Sequence, residues 1–236
     1  MFTPIGFFAP QGGGIVTDNL EQWMDVTQGS EALVLTDQSG NGRNFTNAGA
    51  ANNDFDYNTL TQVWDITSDS ANDAITTGYE PTWTSAFSID IWAKFASTQG
   101  NAVTLVGNRV TAGIDFFGLS VNESNGKIEM AWVDGGSEYT IAPTPPSSYF
   151  DGSFHHVAFT KSTGGTGTLY VDGSSIGSTS VAGSPANAYK LNLMGLYLSN
   201  RWFTNANLGS YRIYSADIGS AGVTQNYNAE KSHYGL

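Results

Sequence analysis

The chain has 236 residues, enough for one large domain or two small ones, and no cysteine, which excludes disulfides, thiolate metal centres and a cysteine nucleophile. Its 21 acidic residues against 9 Lys and Arg give a net charge of −12, which argues against a basic face for nucleic acid. Charged residues are 13% and aromatic residues 13%, so the chain is a folded one whose surface is made polar by Gly, Ser, Thr and Asn, a composition of strands and turns.

Residues 1–14 read as an extended N-terminal arm. Phe2, Ile5, Phe7 and Phe8 make it apolar, Pro4 and Pro10 keep it from becoming a helix, and Gly12-Gly13-Gly14 supplies a flexible joint. It lacks the basic n-region of a secretory signal, and no run approaches the ~20 apolar residues of a membrane span, so membrane insertion is not expected. The four apolar side chains pack either on their own domain or on a neighbouring subunit.

Residues 15–236 read as a single domain. Period-two alternation recurs along the whole chain: Phe87, Ile89, Ile91, Ala93 and Phe95 point one way and Ser88, Asp90, Trp92 and Lys94 the other. Further strands are predicted at Ile114–Val121, Lys127–Val133 after Asn125-Gly126, His155–Lys161, Gly167–Val171, Ser174–Ser180 after the hairpin turn Asp172-Gly173, Tyr189–Gly195 and Leu208–Tyr214. Trp92, Val157, Phe159, Leu169, Val171, Ile213 and Tyr214 are expected to be buried. One short helix is predicted over about 220–231, with Ser220 as its cap and Val223 and Tyr227 on one face. Many short strands with such turns predict an all-β, two-sheet antiparallel jelly-roll sandwich with one C-terminal helix.

Five segments in order resemble laminin G-like domains of the concanavalin A-like lectin/glucanase superfamily. They are Leu20–Asp25 with Asp37-Gln-Ser-Gly-Asn-Gly-Arg43, Phe87–Lys94, Phe154-His-His-Val-Ala-Phe-Thr160, Leu169-Tyr-Val-Asp-Gly173, and Leu208–Tyr214 with Gln225-Asn-Tyr-Asn-Ala229. The resemblance implies two face-to-face sheets whose rim loops carry binding sites. The short forms of the first and last motifs, and the opening ten residues, also resemble bacteriophage structural proteins.

The superfamily's glycoside hydrolases resemble one another in an E-x-D-x-x-E strand, and retaining chemistry needs two carboxylates about 5–5.5 Å apart. The matching strand here offers Asp90 alone, so Asp90 reads as a structural hydrogen-bonding residue. His155 and His156 are adjacent on a strand and face opposite ways, which does not suit one metal. The resemblance also implies a rim calcium ion, for which Asp37 and Asn41 are candidates, although an Asp before Ser-Gly equally caps its own turn. Tyr197, Asn200, Arg201 and Trp202 combine ring faces with hydrogen-bonding groups and are candidates for glycan binding, or for core or subunit contacts.

Two functions fit these residues. The first is a non-enzymatic bacteriophage virion protein, a capsid decoration, knob or tail-associated module, anchored to other virion proteins or to copies of itself through the arm and with a host-surface glycan as its potential ligand. The alternative is a carbohydrate-binding or adhesion module of a bacterium, with a glycoside hydrolase the remaining possibility.

Overall fold

The computed structural model describes residues 14–28, 34–47, 55–66, 75–83, 86–95, 102–111, 115–122, 126–144, 149–185, 190–195 and 206–236. In chain order the strands are β1 (Leu20–Met24), β2 (Val34–Leu35), β3 (Phe45–Asn47), β4 (Phe55–Asn58), β5 (Val63–Ile66), β6 (Ile75–Thr76), β7 (Phe87–Phe95), β8 (Ala102–Thr111) and β9 (Asp115–Asn122). They continue as β10 (Lys127–Asp134), β11 (Ser137–Ile141), β12 (Phe154–Lys161), β13 (Thr166–Val171), β14 (Ser174–Ser180), β15 (Asn192–Leu193) and β16 (Ala206–Tyr214), and the helix α1 (Gly219–Glu230) closes the chain.

Two antiparallel sheets form a sandwich. One runs β14-β13-β12-β7-β16-β5-β4 with β1 also paired to β16, and the other runs β11-β10-β9-β8-β15-β6-β3-β2. The predicted strand at Phe87–Phe95 and the hairpin at Asp172-Gly173 are both present. Asp172 and Gly173 have φ of 49° and 75°, the paired left-handed conformation that matches strand twist in a two-residue loop and lets Val171 pair with Ser174. Between the sheets, the Phe87 ring lies 5.9 Å from Phe117, 6.2 Å from Trp132 and 5.6 Å from Phe159, so aromatic side chains from both sheets interlock. All seven residues expected to be buried are buried.

Several elements differ from the sequence reading. Ser220 does not cap α1: Asp217 Oδ1 accepts the Gly219 N–H at 2.8 Å, and Ser88 Oγ accepts the Ile218 N–H at 3.0 Å, so a residue two positions before the helix and a sheet side chain hold its start. Of the predicted strand Tyr189–Gly195, Asn192–Leu193 is paired, and Tyr189 lies outside the described residues. Strand β8 has no clean alternation because its register shifts between Thr104 and Val106, which buries Leu105 and Val106 together. The second face of β7 is not a solvent face. Helix α1 and the tail cover it, burying Ser88, Asp90 and Trp92, with Val223 packed on Ala158 and Tyr170.

Candidate functional site

Alternation carries two charged side chains to one mouth of the sandwich. On β10, Ile128, Met130 and Trp132 face inward and Asp134 follows on the same side. On β12, Val157 and Phe159 face inward and Lys161 follows. The Trp132 and Phe159 rings meet edge to face, 6.0 Å between centroids. One strand period beyond that contact, Asp134 and Lys161 line a cleft of about 460 Å³.

Two loops wall the cleft: the turn Thr163–Gly165 between β12 and β13, and the segment Val181–Ser184 after β14. The loops are fastened to each other and to the sheets. Val181 N–H donates to Gly165 O at 2.6 Å, Ser162 N–H donates to Thr166 O at 2.9 Å, and Ser184 N–H donates to Asp134 Oδ2 at 3.1 Å. Gly183 has φ of +71° and no room for a Cβ, which would collide with Asp134 Oδ2, so glycine is what lets the loop close over the carboxylate. Lys161 is 3% exposed. Burial pulls its ammonium below the ordinary lysine value, with the Asp134 charge acting against that shift. An ammonium only donates and a carboxylate only accepts, so this mouth offers both hydrogen-bonding roles within one cleft.

The other end of β12 carries His155 to the opposite mouth. Its Nδ1 lies 2.8 Å from Asp172 Oδ2 and its Nε2 3.3 Å from Asp151 Oδ1, with the Tyr149 ring against it at 5.1 Å. Burial lowers the imidazole pKa, but Asp172 and Asp151 together raise it above the ordinary value. Asp172 Oδ1 accepts the His156 N–H at 2.9 Å, which ties the β13–β14 turn to β12. His156 faces the other way, fully enclosed, its ring 5.0 Å from Trp92. The two histidines therefore do not converge. Among the described residues no group of three or more His, Cys, Asp and Glu side chains suits a metal ion.

Asp90 sits beneath α1 with no exposure. Its Oδ1 accepts from Arg212 at 2.8 Å and its Oδ2 from Asn226 Nδ2 at 2.7 Å, and Arg212 also pairs with Glu230 on α1. Asn226 in turn donates to Tyr214 Oη at 2.9 Å and accepts the Val16 N–H at 2.8 Å, while Gln225 Nε2 donates to Gly14 O at 2.6 Å. One polar network, buried around Asp90, thus joins β7, β16, α1 and the segment at Gly14 and Val16. The carboxylate that stands in the resembled catalytic strand is enclosed and occupied by these donors.

Asp37 and Asn41 lie in the turn between β2 and β3. Asp37 Oδ1 accepts from Trp23 N–H at 3.0 Å and Ser39 N–H at 2.9 Å, and its Oδ2 from Ser39 Oγ at 2.8 Å and Arg43 N–H at 3.0 Å. Asn41 Nδ2 donates to the carbonyls of Leu20 and Glu21. Four donor hydrogens aimed at one carboxylate do not fit a calcium ion, which needs the same lone pairs. The arrangement is that of a turn cap. Tyr197, Asn200, Arg201 and Trp202, and the arm residues Phe2, Ile5, Phe7 and Phe8, lie outside the described residues. The cleft at Asp134 and Lys161 has no sequence motif; only the alternation of β10 and β12, continued one step past the core, points to it.

A laminin G-type family model of the concanavalin A-like lectin/glucanases superfamily matches residues 69–223. The chain belongs to this superfamily. No curated protein sequence matches it. Among solved structures, the superfamily member is similar to the binding domain of Paraclostridial Mosquitocidal Protein 1, with TM-score 0.69 and 18% identity over 89% of this chain and 52% of that one. It is similar to the botulinum neurotoxin type G receptor binding domain, with TM-score 0.67 and 15% identity over 89% and 51%. A botulinum neurotoxin type C structure gives TM-score 0.64 and 14% identity over 90% and 51%. The chain spans about half the length of these proteins, and at such identities the likeness is one of fold.

Proposed function

We propose that the chain is a non-enzymatic module that binds carbohydrate on a host surface. The observation that carries this reading is the cleft in the sandwich mouth, where an enclosed ammonium, a carboxylate and two fastened loops form a polar recess on a lectin/glucanase fold. One similar structure is named a binding domain and another a receptor binding domain, and cell entry of the type C neurotoxin depends on interaction with two ganglioside molecules. Against hydrolysis stands Asp90, the one carboxylate of its strand, buried and held by Arg212 and Asn226. Screening the full chain against immobilised neutral and sialylated glycans tests the proposal. Saturable binding to at least one glycan is expected, and failure to bind any overturns it.

The finer reading is that the module is carried on a bacteriophage virion, with copies assembled through residues 1–14. The apolar sequence of Phe2, Ile5, Phe7 and Phe8 ahead of three glycines supports it, together with the attachment of Gly14 and Val16 to α1. Mass spectrometry of purified particles tests this. The chain at fixed stoichiometry with the capsid or tail proteins is expected, and its absence from particles overturns the virion reading.

A further inference from the structure

Resting on the carbohydrate-binding reading, we infer that the cleft at Asp134 and Lys161 takes a neutral saccharide through two adjacent hydroxyls. A hydroxyl both donates and accepts, so one of the pair donates to the Asp134 carboxylate while its neighbour accepts from the Lys161 ammonium. The Asp134 oxygen that meets the Ser184 N–H keeps a second lone pair, and its other oxygen has two. An ammonium has three donors, so it takes a sugar oxygen in addition to a protein partner.

The loops give the pair its shape. Gly183 and the Ser184 N–H hold the carboxylate, and the turn at Thr163–Gly165 shares the lining of the cleft. A cleft of about 460 Å³ falls in the range of small-ligand sites. Charge selects the class. Among the described lining residues the one cation and the one anion cancel, and the chain carries −12. A carboxylated or sulfated sugar would set an anion beside Asp134 in that field, which costs affinity, whereas a neutral diol has no such opposition.

The test is an amide NMR titration of the full chain with methyl glycosides of glucose, galactose and mannose, and separately with N-acetylneuraminic acid. With a neutral glycoside the largest shifts are expected at Gly164, Gly165, Gly183 and Ser184. Lys161→Met and Asp134→Asn are each expected to weaken binding tenfold or more, the loss of a hydrogen bond to a charged group. Both variants keep side-chain size, and an unchanged amide spectrum elsewhere shows that they fold. If the chain binds glycans in the screen above but the shifts fall elsewhere, or both variants bind as the parent does, the site assignment is wrong while the binding reading stands. Preference for N-acetylneuraminic acid at these amides overturns the neutral class. Absence of any glycan binding overturns both.

Discussion

Replacing Arg212 by Met removes the cation that Asp90 and Glu230 share, and the structure sets the size and pH dependence of the consequence. Asp90 and Arg212 are both fully enclosed, 2.8 Å apart. Burial pushes the Asp90 carboxyl up, but Arg212, the His156 ring and Asn226 bring it down from 3.8 to about 2. That net drop corresponds to about 2 kcal/mol in favour of the charged form. Without the guanidinium, burial acts on the carboxylate with its main counterweight gone, and breaking a buried pair in this way costs about 3–5 kcal/mol. The stem of Met fills the space of the arginine stem, so packing contributes less. In the parent protein a depressed carboxyl stabilises the fold above pH 3.8, and that contribution is lost as pH falls through about 2. In the variant the sign reverses. The carboxyl rises above its unfolded value, so acid neutralises it and the gap to the parent narrows between pH 7 and pH 4.5. Urea unfolding followed by tryptophan fluorescence at the two pH values measures both effects. A cost below about 1 kcal/mol at pH 7, or one independent of pH, would refute the reasoning.

Other outcomes follow from the same contacts. Gly183→Ala should cost about 1–3 kcal/mol, because the left-handed backbone and the clash with Asp134 act together, and a full-stability variant in thermal melts would show that the loop has another way to close. His155 has a raised pKa, so its contribution is present below pH 6.5 and lost as pH rises through the higher folded value; His155→Gln should flatten the melting temperature between pH 5.5 and 8.5, and an unchanged slope would contradict the assignment. Deleting residues 2–11 should leave the melting temperature unchanged, since the domain is fastened from Gly14 onward, while abolishing self-association in sedimentation; a truncated chain that fails to fold would place the arm in the domain's own core. No reducing ends should be released from laminarin or agar, and release that disappears in Asp90→Asn would make β7 an active-site strand.

The long elements were legible because their residues satisfy one rule throughout. Strand β7 alternates without interruption, and Asp172-Gly173 names its own turn. Strand β8 was not legible because a bulge puts Leu105 and Val106 inward together, which reads as no period at all. Strand β11 was missed for a different reason: it lies at a sheet edge, and Ser137, Glu138 and Thr140 are exposed with only Ile141 buried. The role of Asp37 was readable as a turn cap from its neighbours Ser39 and Gly40. The cleft was not readable, because it forms where two distant strands end at the same height. Asp134 and Lys161 are 27 positions apart, and the glycine that closes the loop lies 22 beyond Lys161. The covering of Asp90 by α1 is equally non-local, since its partners Arg212 and Asn226 come from the far end of the chain.

If the fold serves to hold sugar hydroxyls, its binding depends on intact diols. Mild periodate cleaves vicinal diols and leaves charge and bulk largely in place. Binding of the labelled full-length chain to glycan-coated surfaces before and after that treatment is therefore the most direct measurement. Binding is expected to fall to background once the diols are oxidised. Binding that survives oxidation would contradict it.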